Sequence, residues 1–159
     1  MFGHGPAPIR TEASVDLERF MGNWYVIAHI PTFIDRDGHN QVEHYALNDD
    51  GSIATTFSFN ADSFDGERKV YRPTGFVREG TGNAVWGMQF IWPIKAEYRI
   101  AHVDADYQIA IIARSKRDLV WLLARQPTLP EDVYQQWLGR IEALGYTLDD
   151  VVKVPQRAP

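Results

Sequence analysis

Cysteine is absent from the 159 residues. This excludes a disulfide frame, a thiol nucleophile, thiolate metal sites and a lipidated cysteine within them. It leaves the redox compartment open, because a cysteine-free chain is at home in any. Long hydrophobic runs are missing too: none approaches the ~18 residues that a membrane-spanning helix needs. Positive charge is in short supply. Sixteen Lys and Arg face 21 Asp and Glu, for a net charge of −5, so the basic face of a general nucleic-acid binder is not expected. The chain lacks a P-loop, a G-x-S-x-G elbow and a dinucleotide fingerprint. Its five histidines, His4, His29, His39, His44 and His102, form no i, i+4 helical pair, so neither a metal nor a cofactor is expected. His29 and His44 read as outward-facing strand residues. The first ten residues show no charged segment followed by an apolar one, so no signal peptide is read there.

What the chain does have is the makeup of one ordinary globular domain, 45% hydrophobic and 23% charged. Aromatic residues are abundant: five Trp, seven Tyr and eight Phe, 13% of the total. Rings fill a core, and they line a cavity equally well.

Residues 1–13, rich in Gly and Pro, read as a flexible lead-in. Asp16 then caps one helical turn that stops at Gly22. Strands follow at about 23–30, 41–48, 52–60, 68–78, 84–92, 97–104, 106–114 and 119–125. Asp49-Asp50-Gly51, Gly80-Thr81-Gly82-Asn83 and Asp104-Ala105-Asp106 supply turn chemistry between them. Eight consecutive strands on short loops predict an all-β antiparallel up-and-down meander, and closing it into a barrel removes both exposed edges. Alternation assigns faces: Trp86, Met88, Phe90 and Trp92 lie together, as do Ile53, Thr55, Phe57 and Phe59. These aromatic faces are the expected interior. Beyond the strands, Thr128-x-x-Glu131 reads as a capping box, with Gly145 as the stop. Val133, Trp137, Ile141 and Leu144 form an apolar stripe between them, predicting a helix packed on the outside of the barrel. Val151–Val154 suggests a short ninth strand.

Three stretches together resemble the lipocalin family, in particular its bacterial branch of outer-membrane lipoprotein and apolipoprotein D-like type. They are Gly22-Asn23-Trp24-Tyr25, Asp104-Ala105-Asp106-Tyr107 and Trp121-Leu122-Leu123-Ala124-Arg125-Gln126-Pro127. Ile30-Pro31-Thr32 and the trailing helix also match, so the resemblance covers a domain of about residues 14–156. It implies that Gly22, Trp24 and Arg125 are structural, with the arginine stacked over the ring that closes the barrel floor. It also implies a location in the cell envelope, periplasm or outer membrane, if a leader has been removed, and in the cytoplasm otherwise.

By the same resemblance the loop after the first strand is at the open end. The mouth then collects residues 31–40, 60–67, 92–96 and 115–118. Phe33, Ile34, Phe64, Trp92 and Ile94 make this lip apolar, and Arg36, Lys95, Lys116 and Arg117 make it partly cationic. Such a barrel suits an amphiphile such as a fatty acid or lysophospholipid, carried or stored in membrane lipid maintenance. The expected ligand-binding residues are Glu43, Tyr45, Phe57, Phe59, Tyr71, Trp86, Met88, Phe90, Trp92 and Phe33. Gln41, Glu43, Tyr45 and Leu47 share a face that the family register turns inward, and a shift of one residue would send Glu43 to solvent. An inward carboxyl in an apolar cavity has a raised pKa. The alternative function is therefore an isomerase- or cyclase-type enzyme in which Glu43 acts with Tyr45 or Tyr71. Expected partners are a hydrophobic small molecule, a second copy in a homodimer and a membrane surface touched peripherally.

Overall fold

The computed structural model describes residues 7–157. One helical turn, α1 (Leu17–Phe20), leads into β1 (Gly22–His29), β2 (Gly38–Leu47), β3 (Ile53–Ala61), β4 (Arg68–Tyr71) and β5 (Thr74–Val77). Then follow β6 (Val85–Ile91), β7 (Ile94–Val103), β8 (Ile109–Ala113), β9 (Val120–Ala124), helix α2 (Glu131–Ala143) and β10 (Val152–Lys153). Neighbouring strands pair antiparallel in chain order, and β1 pairs with β9 to close the barrel. The expected fourth strand is broken into β4 and β5 at Arg72-Pro73. Proline has no N–H to donate, and the ladder is bridged there by the Thr55 N–H to the Pro73 carbonyl at 3.1 Å. Counted as one stave, β4 and β5 make the barrel eight-stranded.

Strand alternation sorts the apolar residues into two cores. On β3, Ile53, Thr55, Phe57 and Phe59 are all buried and the residues between them are not. They join Trp24, Tyr45, Trp86 and Tyr98 inside the barrel. The second core lies between the outer wall and α2, which buries Tyr134, Trp137 and Ile141 against Ile111, Leu122 and neighbours. The capping box does not form. The cap is Pro130, without a side-chain hydrogen bond. Glu131 instead accepts from Gln135 one turn on, at 2.7 Å. Gly145, at φ 103°, ends the helical segment as expected.

Two departures from the strand reading have local causes. A bulge between Val26 and Ala28 shifts the β1 register, so His29 is buried and not outward-facing. The lead-in also differs from the flexible segment read from the sequence, because it is docked from Ala7 onward. Ile9 is buried, its carbonyl accepts from Arg99 at 2.8 Å, and Glu12 accepts from the Val103 N–H at 2.8 Å. Met1–Pro6, including His4, lie outside the described residues.

Near the mouth β1 and β2 diverge beyond the Tyr25–Val42 pair, and the C-terminal segment fills the fork. The amide of Gln156 donates to the carbonyls of both Val26 and Gln41, each at 2.9 Å. Replacing Gln156 by alanine leaves two half-buried carbonyls without that donor. The expected cost is about 1–3 kcal/mol of unfolding free energy, read from urea denaturation. An unchanged midpoint would show that water serves the fork equally well.

Candidate functional site

The closed end of the barrel is built from the first strand and the turn before it. Gly22 has φ 100°, where a side chain is strained, and a Cβ there would lie 3.4 Å from the Arg125 guanidinium. The Trp24 indole donates to the Phe20 carbonyl at 2.8 Å, and Arg125 sits 3.7 Å over its ring. Arg125 also donates to the carbonyls of Tyr107, Asn23 and Arg19. Phe20 touches Trp24, Tyr45 and Trp86 at ring separations of 5.0, 5.6 and 5.7 Å. These rings fill the lower barrel.

Above them a cavity of about 260 Å³ opens toward the mouth. Its wall is Thr55, Phe57, Tyr71, Met88, Phe90, Tyr98 and Trp121, and the loop residues Thr32, Phe33, Ile34 and Asp35 lie over it. On one side, β4 pairs only with β3 among the described residues. The last β5–β6 pair is Thr74–Gln89, so Phe90 and Ile91 extend past the ladder and are exposed.

The inward register of β2 holds, since Gln41, Glu43 and Tyr45 are all buried. The Glu43 carboxyl accepts from the Tyr45 hydroxyl, which in turn is bonded to the Tyr98 hydroxyl. Burial, and then the nearby Asp35 carboxylate, push Glu43 up to about 8, against a smaller opposing contribution from Tyr98. Burial, together with Glu43, keeps the Tyr98 phenol well above its ordinary range. Asp35 accepts from the Thr32 backbone and hydroxyl at 2.6 and 3.0 Å. His29 lies 3.7 Å from Asp35, too far for a hydrogen bond, and burial holds its pKa below the ordinary value.

The structure brings together Glu43, Phe57, Tyr71, Met88, Phe90 and Phe33 around this cavity. It places the other four elsewhere. The Tyr45 ring is beneath the cavity and its hydroxyl is engaged by Glu43. Phe59 is 2% exposed, packed behind Phe57 and Tyr71. Trp86 is in the floor, stacked on Tyr98 at 4.9 Å. Trp92 is 81% exposed, in the β6–β7 turn beyond the wall. The cationic lip is also different. Lys95 lies over the Phe76 ring, and Arg117 donates to the carbonyls of Leu144 and Ala7. Phe64 packs against His39 and Arg157 and does not line the cavity. The one cation among the described lining residues is Arg114, held by Asp118 at 2.9 Å and by the Glu97 carbonyl at 3.4 Å.

Sequence reasoning passed over Tyr98, Trp121 and Arg114. The signal was available in the alternation of β8 and β9. Ala110 and Ile112 face inward, which sends Arg114 the same way, and Leu123 fixes the face of Trp121.

The lipocalin-like domain family matches residues 15–156. The chain is 28% identical over 151 residues to temperature-induced lipocalin-1 of Arabidopsis thaliana, covering 89% of this chain and 80% of that one. It is 26% identical over 155 residues to the outer membrane lipoprotein Blc of Citrobacter freundii, covering 95% and 85%. Among solved structures it superposes on insecticyanin from the tobacco hornworm with a TM-score of 0.73 at 15% identity, covering 96% and 86%. The cockroach allergen Per a 4 gives 0.70 at 20% identity, covering 97% of both chains. Glycine, tryptophan and arginine at the floor, barrel closure and the outer helix thus coincide in one chain, which belongs to the lipocalin-like family.

Proposed function

We propose that this protein binds and carries one single-chain amphiphile, the class that includes fatty acids and lysophospholipids, with its chain inside the barrel. The observation that carries this reading is the open cavity of about 260 Å³, walled by Phe57, Tyr71, Met88, Phe90 and Trp121. Eight-stranded barrels are wide enough for side chains or one small ligand, and here aromatic walls leave space above a filled floor. Phe33, Ile91, Trp92 and Ile94 are strongly exposed around the mouth. Such an apolar rim suits transfer at a lipid surface or contact with a second copy. Relatives named as outer membrane lipoproteins support a place in the cell envelope, where carriage of such an amphiphile would serve membrane lipid maintenance.

Trp121 on the wall makes the test direct. Titration with a lysophospholipid below its micelle concentration is expected to change the intrinsic fluorescence saturably. Trp121→Phe should remove most of that change while leaving affinity within roughly threefold. A flat titration for every single-chain amphiphile would remove the reading. Acid–base catalysis by Glu43 is the second reading, favoured by its pKa of about 8. Recovery of bound ligand at unchanged mass and retention time after long incubation counts against it.

A further inference from the structure

Three acidic residues, Asp35, Glu43 and Glu97, line the cavity against one cation among the described lining residues, Arg114. Glu43 presents a carboxyl to the inner end of the cavity. Asp35, on the loop above, is close enough to raise the Glu43 pKa, and its neighbour His29 is kept neutral by burial. The Tyr45 and Tyr98 hydroxyls are committed to each other and to Glu43. The lining cation, Arg114, is neutralised by Asp118. Once ionised, the Glu43 carboxylate is costly to bury without a counter-charge. One ligand group supplies that charge: a cation that carries N–H donors, set among aromatic rings that also attract it.

We infer that the inner end of the cavity is a site for a primary ammonium group, so that the preferred ligand is a long-chain amine and not a long-chain acid. This rests on the reading that the cavity holds a single-chain amphiphile, and it narrows the head group within that class. The amine nitrogen donates to the Glu43 carboxylate, with Tyr98 and Trp121 as the flanking rings. A fatty-acid carboxylate in the same place would meet Glu43 and Asp35, with the one cation among the described lining residues, Arg114, already paired with Asp118.

The charged and titratable groups around the cavity that holds Glu43 are Tyr45 on β2, Glu97 and Tyr98 on β7, Tyr71 on β4, Asp35 and His29 across the loop, and Arg114 at the mouth. Glu43, pushed up to about 8, changes charge between pH 6.5 and 8.5. A primary amine stays protonated across that range. Ammonium binding therefore expels the Glu43 proton at the lower pH and meets a carboxylate at the higher.

The test compares dodecylammonium, dodecanol and dodecanoate, each below its micelle concentration, by calorimetry at pH 6.5 and 8.5. At pH 8.5 the ammonium is expected to bind about tenfold or more tighter than the carboxylate, with the alcohol between them. Its affinity should fall toward pH 6.5 while that of the alcohol holds. Glu43→Gln is expected to cut the ammonium preference to roughly threefold or less and to spare the alcohol. Dodecanoate binding as tightly as the amine overturns the inference and leaves the amphiphile reading standing. An ammonium preference that survives in Glu43→Gln also overturns it. Failure of all three ligands to bind overturns both.

Discussion

Alanine in place of Trp24 is expected to lower the unfolding free energy by about 3–5 kcal/mol, a large fraction of what a domain of this size commands. The indole is fully buried, contacts Phe20 at 5.0 Å and lies under Arg125 at 3.7 Å. Its removal opens a void at the floor and leaves the Phe20 carbonyl without its indole donor. It also leaves the guanidinium beside an empty space, although Arg125 keeps its bonds to four carbonyls, that of Phe20 among them at 3.3 Å. Arg125→Met makes the complementary change. It spares the ring but orphans those carbonyls, at an expected cost of about 1–3 kcal/mol. Urea denaturation followed by far-ultraviolet circular dichroism ranks the two. A Trp24→Ala loss below about 1 kcal/mol would mean that the floor relaxes around the cavity. In that case the tryptophan is not what holds the lower barrel.

The floor and the strand order were readable in the sequence because both are set locally. Gly22 and Trp24 mark the start of β1, and hairpin turns such as Asp49-Asp50-Gly51 separate strands whose alternation needs no distant partner. That Glu43 shares a face with Gln41 and Tyr45 was readable from the period of two, while the inward direction of that face came from the family resemblance. What escaped depended on irregularity or on distant contacts. The Val26/Ala28 bulge turned His29 inward, and nothing in that apolar run announces an extra residue. Trp86 and Met88 share one strand face, yet one is floor and the other cavity wall. That distinction lies in Phe20, which reaches Trp86 from a different element. Trp92 continues the same alternation past the point where β6 leaves the ladder, so period alone cannot tell wall from rim. The misplaced cations have a similar cause. Arg117 looks solvent-directed until the Leu144 carbonyl and residue 7 come to it from other parts of the chain. The capping box was lost to Pro130, which starts α2 by its own backbone angle.

Stability is expected to fall as pH rises from about 4.5 to about 8, because of Glu43, and Glu43→Gln should abolish that component. The carboxyl keeps its proton in the folded protein up to about 8, whereas its ordinary value, near 4.5, applies once the chain unfolds. Between those limits the folded state binds more protons than the unfolded one, so unfolding becomes easier as pH increases and levels off above about 8. The contribution is fully present below pH 4.5 and is lost by the time the folded carboxyl ionises. A difference of this size corresponds to about 4–5 kcal/mol at most. Buried His29 acts in the opposite sense: its pKa is lowered, so its effect appears as the pH falls below 6.5. Subtracting the variant's urea-derived stability from that of the wild type at each pH cancels the histidine and isolates Glu43. The glutamine can still accept from Tyr45 without ever ionising. It should therefore gain on the wild type steadily from pH 5 to 8.5, by several kcal/mol overall. Parallel stability curves would mean that Glu43 titrates normally and that water reaches its carboxyl. With dodecylammonium bound, the same comparison should turn over. The ligand stabilises the ionised carboxylate, so the wild type regains at pH 8.5 part of what it lost, and the glutamine variant does not.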